Sequence, residues 1–423
     1  MVATELELFN IQRRFTSIVK NAIDIGEMLH ISGAQVSRVE DTISRICYAY
    51  GAEKVDVITI TSLIIVTVIP KNGEAITQTR RITAQSKNMS KLDALNSLSR
   101  EICETLPESE FIEARLEKIN KMPSIPLWLI VISEIIVACG FSIFFGGSWL
   151  DGLATIPVAL TIFLAERIFS KLHTNRIVHF LITSFIAGAV SVLMLHLGIG
   201  RDVNSIMIGA IMLLIPGVAL TTAFEDLLSG DTITGLLKFC ESAIVAIGIA
   251  VGFAIATFVC GGYDMLHDIK DTSPYIQMIA AILSSGAYAT VIGLRKPVRL
   301  IFCALGGGIA QLSFYLLSNA GINSVICIII ASAICAAYSQ ILARLQKTPS
   351  TVFVIPSILP LVPGKLLYYT MSYMLRGNTD KFISSGLNTL LSAIAIAFGL
   401  ISVIAVFSVV TSIIRKAKIR KKF

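Results

Sequence analysis

Beyond Pro126 the sequence consists mostly of apolar runs of about twenty residues, the length that an α-helix needs to cross about 30 Å of hydrocarbon. In lipid a chain must pair its own backbone groups, so such runs predict spanning helices. The ten runs cover residues 127–146, 150–169, 178–198, 204–224, 235–259, 274–294, 298–318, 322–342, 351–373 and 384–413. With 54% hydrophobic and 15% charged residues, the composition excludes an ordinary soluble protein. We therefore predict a multi-pass α-helical membrane protein with ten transmembrane helices.

One short pattern occurs twice in this membrane region. The segment "LLIPGVALTTAFEDLLSGDT", which starts at Leu213, returns 147 residues later as "PLVPGKLLYYTMSYMLRGNT", which starts at Pro360. The same offset aligns the first five runs with the last five. A repeat with an odd number of spans must enter the membrane from the opposite side the second time, so we predict two inverted five-helix repeats. Inverted repeats around a central site are typical of secondary transporters.

The residues ahead of the first run have the patterns of a small α+β domain. The predicted elements are helices over 5–31 and 35–50, strands over 55–70 and 74–83, and a helix that begins at Ser90-x-x-Asp93 and ends at Pro107. Asn72-Gly73 joins the strands as a hairpin turn. No cleavable signal peptide is visible, so we expect this domain to stay in the cytoplasm. The predicted units are a cytoplasmic domain over 1–122, a first membrane repeat over 123–265 and a second over 266–423.

The net charge of +7 is concentrated in the tail, where six of the last nine residues are Lys or Arg. With the N-terminal domain inside, cytoplasmic loops and tail hold fourteen basic residues and the external loops four, as the positive-inside rule requires. We therefore predict the cell membrane, both termini in the cytoplasm and no nucleic-acid partner. Eight scattered cysteines without a C-x-x-C pair favour neither a metal site nor disulfides, and no cofactor is expected.

The two Pro-Gly pairs interrupt apolar runs and mark a candidate substrate site. Proline removes a backbone donor, and unwound backbone in hydrocarbon is tolerated only where it lines a cavity. A half-helix that begins beyond each break presents unpaired amides to an anion such as a carboxylate. Lys365 supports this interpretation, although it also fits a lysine that snorkels at the end of a span. The predicted substrate-binding residues are Pro216, Gly217, Thr221, Asp226, Pro363, Gly364, Lys365 and Tyr368.

Four carboxylates inside or at the ends of runs are candidates for proton coupling: Glu134, Glu225, Asp226 and Glu241. A carboxylate at this depth is costly unless it is protonated or paired. Two alternatives stay open at this point. Lys238 lies one turn from Glu241 and would make an ordinary ion pair with it, and Glu225 with Asp226 would simply end a helix at the membrane interface.

Two segments resemble known signatures. The stretch "GEMLHISGAQVSRVEDTISRICYAYG", Gly26–Gly51, is similar to the signature of the cytoplasmic domain of the threonine/serine exporter family, and "IPGVALTTAFEDLLSGDTITGL", Ile215–Leu236, is similar to that family's Pro-Gly and acidic segment. The resemblance runs along essentially the whole chain and implies proton-driven export of small amino acids by ten spans and a cytoplasmic domain. It carries over the motif residues Gly33, Arg38, Glu40, Pro216, Gly217, Asp226, Gly230 and Asp231.

The resemblance also leaves alternatives. Split two-protein relatives imply succinate export as the second interpretation, and the second repeat departs from the first, with Ser372 and Tyr373 in place of the acid pair. An enzymatic N-terminal domain or a channel would belong to other classes, but no Ser/His/Asp or Cys/His arrangement, P-loop or dinucleotide pattern supports an enzyme. The expected partners are threonine, serine or a small carboxylate, protons and lipid, and a homo-oligomer is left open.

Overall fold

The computed structural model describes residues 2–71, 73–82, 88–172, 175–214, 217–260 and 272–420. The N-terminal region consists of α1 (Val2–Ile31), α2 (Val36–Ala49), β1 (Ala52–Ile60), β2 (Leu63–Pro70), β3 (Ile76–Arg81), α3 (Met89–Thr105) and α4 (Ser109–Asn120). The predicted α+β character is confirmed. Gly33 ends α1 with a backbone φ of +96°, a left-handed conformation that glycine adopts without strain, and this residue turns the chain into α2.

The sheet is a three-stranded antiparallel meander in the order β1-β2-β3. Residues 55–70, predicted as one strand, instead form most of a hairpin, because Thr61 and Ser62 make a two-residue turn between Ile60 and Leu63. Neither turn residue is Gly, Pro, Asn or Asp, so the sequence carries no strong turn signal there. Asn72, predicted in the second hairpin turn, lies outside the described residues.

The start of α3 differs from its prediction. The residue that caps the helix is Asn88, whose side chain accepts a hydrogen bond from the Lys91 backbone N–H at 3.0 Å. Ser90 and Asp93, predicted as a capping box, therefore do not cap the helix. Both side chains point instead to the helical bundle, where they make the contacts described below.

The bundle contains twelve helices within the part of the chain that the structure describes. They are α5 (Leu127–Phe144), α6 (Trp149–Leu172), α7 (Arg176–His196), α8 (Val203–Leu214), α9 (Gly217–Ser229), α10 (Thr232–Val259), α11 (Pro274–Val291), α12 (Pro297–Asn319), α13 (Ser324–Gln346), α14 (Thr351–Ser357), α15 (Gly364–Leu375) and α16 (Thr379–Arg420). Among the described residues, seven of them, α5, α6, α7, α10, α12, α13 and α16, are long and apolar enough to cross a membrane. The chain is a multi-pass helical membrane protein.

Two further candidate spans are bent pairs, so the number rises to nine if each pair is one span. The axes of α8 and α9 differ by 51°, and those of α14 and α15 by 42°. The predicted run 274–294 corresponds to α11, which is not among the seven candidate spans and carries Gln277 and two serines. Ten spans were predicted, and the structure supports seven to nine candidates by length and composition.

The helices of the second half follow those of the first at a constant distance along the chain. The starting residues of six pairs are 147 or 148 residues apart: Leu127 and Pro274, Trp149 and Pro297, Arg176 and Ser324, Val203 and Thr351, Gly217 and Gly364, Thr232 and Thr379. Contacts recur as well, since α5 packs on α6 and α8 while α11 packs on α12 and α14. The spacing found at the Pro-Gly segments therefore extends to the whole bundle.

The N-terminal region packs directly onto one end of the bundle, which we call the near end; the opposite end is the far end. A single hydrophobic cluster runs through both, from Val39 and Leu92 to Ile292, Val352 and Phe353. All five side chains are at most 2% exposed. Burial of this apolar surface joins the two parts firmly.

Candidate functional site

The second Pro-Gly pair lies at a break between two helices of the bundle. Helix α14 ends at Ser357, a 3-10 turn covers Leu359–Leu361, and Pro363 stands as the N-cap residue of α15. Lys365 is the second residue of α15 and lies in its first turn, where backbone amides have no intrahelical acceptor. A cation and a helix N-terminus are thus combined at this break.

A cavity of about 240 Å³ lies beside the break. Its polar side chains are Lys365, Gln277, Gln311 and Ser392; its remaining lining residues are Phe144, Phe145, Phe314, Ile328, Pro360, Leu361, Val362, Pro363 and Leu366. Phe144 ends α5 and Gln277 lies in the first turn of α11, so the cavity lies toward the far end. Among the described residues, no carboxylate lies within 4 Å of the Lys365 ammonium, and no acidic side chain lines the cavity.

Gln277 and Gln311 are site residues that sequence reasoning missed. The Gln311 Nε2 atom donates a hydrogen bond to Gln277 Oε1 at 2.9 Å, and Gln311 is 5% exposed. The search for functional residues considered charges and Pro-Gly breaks, whereas uncharged amides in apolar helices carry a similar signal because they too are costly in hydrocarbon.

Residues of the two breaks meet inside the bundle. Ile215 and Pro216 lie outside the described residues, but the flanking helix α8 contacts α15 of the second half. The Tyr368 hydroxyl donates to Asn204 Oδ1 at 2.9 Å, and a Cβ atom at Gly364 would collide with the Met212 side chain. Tyr368, predicted to bind substrate, therefore bridges the halves and is not among the cavity-lining residues. Thr221 is fully buried on α9 and also lies outside the cavity lining.

The acidic pair of the first half lies at the near end, apart from the cavity. Glu225 Oε1 accepts a hydrogen bond from Gln35 Nε2 at 2.6 Å, and Asp226 Oδ2 forms an ion pair with Lys238 Nζ at 2.6 Å. Both acids are buried, with exposed fractions of 6% and 4%. Asp226 is thus paired with Lys238, and Glu225 is hydrogen-bonded to the N-terminal region.

Glu241 makes a different contact from the one that the sequence suggested. Its carboxylate lies on the exposed face of α10, where Arg176 approaches it at 3.7 Å, and about half of each side chain is exposed. The alternative ion pair of Glu241 with Lys238 does not form, because Lys238 points to Asp226 on α9. A position within an apolar run did not reveal which face of the helix the side chain occupies.

Glu134 is buried in the bundle and lacks a partner for one carboxylate oxygen among the described residues. It is 5% exposed on α5, and its Oε2 atom accepts no hydrogen bond from any described residue. The charges of Glu166 and Arg167, both on α6, act on this carboxyl. A buried, unpaired carboxyl in an apolar helix is the arrangement that a proton carrier requires.

The N-terminal motif contributes mainly to structure. Glu40 Oε1 accepts a hydrogen bond from the Thr59 backbone N–H at 2.7 Å and thereby ties α2 to β1. Burial raises the pKa of Glu40, and this hydrogen bond opposes the rise. Burial is also the main reason that the pKa of Arg38 is lowered, with the charges of Arg45 and Arg100 adding to it. The residue of this motif that reaches the bundle is Gln35, which was not singled out in the sequence.

His30 makes the stability of the N-terminal region depend on pH. Burial lowers its pKa from 6.5 to about 4, and the charge of Lys238 acts in the same direction. Between these values the unfolded chain binds a proton that the folded chain does not, so the free energy of unfolding falls as the pH falls. We expect a loss of about 2 kcal/mol between pH 7 and pH 5 in the wild type but not in His30→Gln, measured as melting temperatures in detergent. Equal losses in both proteins would contradict this assignment.

The N-terminal region also holds the second half. Its Met89 N–H donates to the Ile292 carbonyl at 3.0 Å, and Ser90 Oγ donates to the Gly293 carbonyl at 2.6 Å. Asp93 and Arg299 form an ion pair at 2.8 Å whose side chains are 15% and 6% exposed. Together with the Gln35–Glu225 contact, these bonds connect both halves of the bundle to one rigid cap.

Two profiles of one protein family match the chain. The profile described as "Putative threonine/serine exporter" matches residues 20–260, and the profile described as "Threonine/Serine exporter, ThrE" matches residues 277–406. The first match alone covers more than half of the 423 residues.

Individual relatives are distant but extend over most of the chain. The "Threonine/serine exporter" of Corynebacterium glutamicum is 23% identical over 403 residues, which are 91% of this chain and 81% of the relative. The "Probable threonine/serine exporter" of Mycobacterium tuberculosis is 23% identical over 392 residues, 89% of this chain and 73% of the relative. The "Probable succinate transporter subunit YjjP" of Klebsiella aerogenes is 28% identical over 234 residues, 54% of this chain and 88% of the relative. No solved structure matches the chain.

Proposed function

The chain belongs to the threonine/serine exporter family, and on that premise we propose that it exports threonine or serine by proton-coupled alternating access. The family is one of transporters, and the chain is not an enzyme. The observation that carries the proposal is the cavity at the second break, where Lys365 stands beside a helix N-terminus without a carboxylate among the described residues.

The substrate carboxylate binds at this break. Lys365 supplies the positive charge, and the first amides of α15 supply hydrogen-bond donors with the favourable end of the helix dipole. A cavity of about 240 Å³ has room for several water molecules and therefore for a small amino acid. The break at Pro216 and Gly217 forms the matching element of the first half in the proposal, and the near-end Asp226 binds the ammonium of a substrate at that break only after Lys238 has released it.

Ten spans in two inverted repeats are part of the proposal. Nine spans follow if each bent pair crosses the membrane once, and α11 is the tenth, since it packs against α5 and α12. The paired helix starts support repeats over residues 123–265 and 266–423 behind an N-terminal domain over 1–122. Five spans in each repeat make the two inverted, and the excess of basic residues at the near end supports cytoplasmic termini.

Proton coupling uses Glu134 as the main carrier, because it is buried and its Oε2 atom has no hydrogen-bond partner among the described residues. Glu225 and Asp226 are secondary carriers, because the opening of the near end would break their contacts with Gln35 and Lys238 and expose both carboxylates to water. Glu241 is not retained in this role, since it lies on an exposed face beside Arg176.

The N-terminal region acts as the near-end gate. It contacts both halves, so these cannot separate at the near end until its bonds break, while the substrate cavity lies toward the far end.

A cysteine at Thr234 tests this gate. Thr234 is 3% exposed, and its hydroxyl approaches the Thr59 carbonyl at 3.4 Å, so it is changed to cysteine in a Cys240→Ser background. Added threonine is expected to raise maleimide labelling roughly tenfold, which corresponds to a shift of about 1.4 kcal/mol toward the open state. The exposed control Ser97→Cys should label equally with and without threonine, and an unchanged rate at Thr234→Cys would remove the gate.

Succinate is the second candidate substrate, because the relative from Klebsiella aerogenes is named as a succinate transporter subunit. The cavity argues against it: two carboxylates require two cationic partners, and of the described lining residues only Lys365 is basic.

Efflux from cells preloaded with labelled threonine, serine or succinate tests the proposed function. We expect loss of threonine or serine that depends on the protein and stops with a protonophore. Loss of succinate alone would replace the substrate assignment, and no loss of any of the three would reject the proposal. Downhill flow that persists with the protonophore would indicate a channel.

A further inference from the structure

Two glutamines, Gln277 of α11 and Gln311 of α12, are joined side chain to side chain within the cavity that contains Lys365. We propose that this amide pair recognises the side-chain hydroxyl of the transported amino acid and thereby sets its specificity. The inference rests on the proposed function, because it takes the cavity at the second break as the substrate site.

After their mutual bond the two amides still hold both donors and acceptors for a ligand. Gln311 Nε2 donates to Gln277 Oε1, so the Gln277 amide keeps its N–H groups and Gln311 Oε1 keeps its lone pairs. If the oxygen and nitrogen of both amides are exchanged, Gln277 becomes the donor, but the pair still offers a ligand both N–H groups and lone pairs. A hydroxyl matches it, because a hydroxyl donates one hydrogen bond and accepts others.

The rest of the lining divides the remaining tasks. Lys365 binds the substrate carboxylate. Among the described lining residues no acidic side chain is present to bind a cationic substrate side chain. Ser392 Oγ donates to the Asn388 carbonyl at 2.7 Å and so presents its lone pairs, which suit the substrate ammonium. Phe144, Phe145 and Phe314 provide apolar surface for the hydrocarbon part of the ligand.

The position of the pair is costly without a ligand to satisfy it. Gln311 is 5% exposed, and apart from Arg299 the other buried residues of its helix are glycine, alanine or cysteine. Two methionines of similar length would fill the space of the pair without polar atoms. Buried amides that face an apolar group lose hydrogen bonds that they made with water. A site that hydrogen-bonds a substrate hydroxyl strongly rejects an analogue that lacks this hydroxyl. A purely hydrophobic pocket rejects an analogue with an added hydroxyl far more weakly.

Threonine and valine provide the direct comparison, since they have nearly the same shape and valine has a methyl group where threonine has its hydroxyl. In vesicles that contain the full chain, unlabelled valine should compete with labelled threonine roughly 10- to 100-fold more weakly than unlabelled threonine does. The variants Gln277→Met and Gln311→Met should each bring the two competitors to within a few-fold of one another while transport persists. The control Gln340→Met changes a glutamine of α13 that does not line the cavity, and it should keep the wild-type ratio.

Three results would decide against the inference. Equal competition by valine and threonine in the wild type overturns it without any variant, so misfolded variants do not protect it. A wild-type ratio in a Gln→Met variant that transports threonine overturns it while leaving the proposed function intact. Failure of the wild type to move threonine at all rejects the proposed function together with this inference.

Discussion

Lys365→Ala is expected to reduce threonine export to the background of cells without the protein. Lys365 is the basic residue that the described part of the chain brings to the cavity, and it stands in the first turn of α15. Loss of a buried partner for a charged ligand group costs about 2–5 kcal/mol, which weakens binding roughly 30-fold or more. Labelled-threonine efflux at matched protein levels measures the effect, and Lys365→Arg should retain part of the activity because it keeps the charge.

The matched control is Lys381→Ala. This lysine is exposed at the far end and lies over the Tyr373 ring at 5.4 Å, away from the cavity lining. Its removal should leave export within about twofold of the wild type, as is usual for surface charges. Equal export by Lys365→Ala and Lys381→Ala would show that the substrate carboxylate binds elsewhere.

Glu134→Gln is expected to abolish uphill export while it leaves downhill exchange of threonine intact. One proton that enters across 100 mV supplies about 2.3 kcal/mol, enough for a gradient of roughly fiftyfold per threonine exported. The amide cannot carry a proton, so the steady-state ratio of external to internal threonine should fall to about one. Exchange of labelled for unlabelled threonine, measured in the same cells, separates loss of coupling from loss of binding.

Glu241→Gln provides the control for Glu134→Gln. Glu241 also lies in an apolar run, but its carboxylate is about half exposed beside Arg176. Cells with the Glu241→Gln variant should reach the same external threonine concentration as cells with the wild type. If Glu134→Gln sustained the wild-type gradient, another group would have to carry the proton, and Glu225 with Asp226 would be examined next.

The architecture was predictable where local patterns are strong. The first three N-terminal helices, the break at Pro363 and the spacing of the two halves follow from hydrophobic periodicity and from proline geometry, whereas α4 was not predicted. The hairpin turn at Thr61 and Ser62 was not predicted, because threonine favours strand positions and a single serine between two apolar runs is a weak turn signal. Helix α11 was predicted as a span, but by length and composition it is not among the seven candidates, although it packs against α5 and α12 in the bundle.

The site was predictable only in part, because its contacts join residues that are far apart in the sequence. Lys365 was identified from its charge in an apolar run, but the same rule selected Glu241, which lies on an exposed face. The Gln35–Glu225 bond links residues 190 positions apart, and nothing local indicates it. The Gln277–Gln311 pair was missed because a single uncharged amide in a helix is unremarkable until its partner is found beside it.

The measurement that tests the central claim most directly is threonine transport by the purified full chain in proteoliposomes with an imposed pH gradient and a pH-sensitive dye inside. The account predicts that threonine moves against its own gradient as protons move in the opposite direction, and that a protonophore stops both fluxes together. Threonine flux that runs only downhill, at the same rate with and without the protonophore, would contradict proton-coupled export.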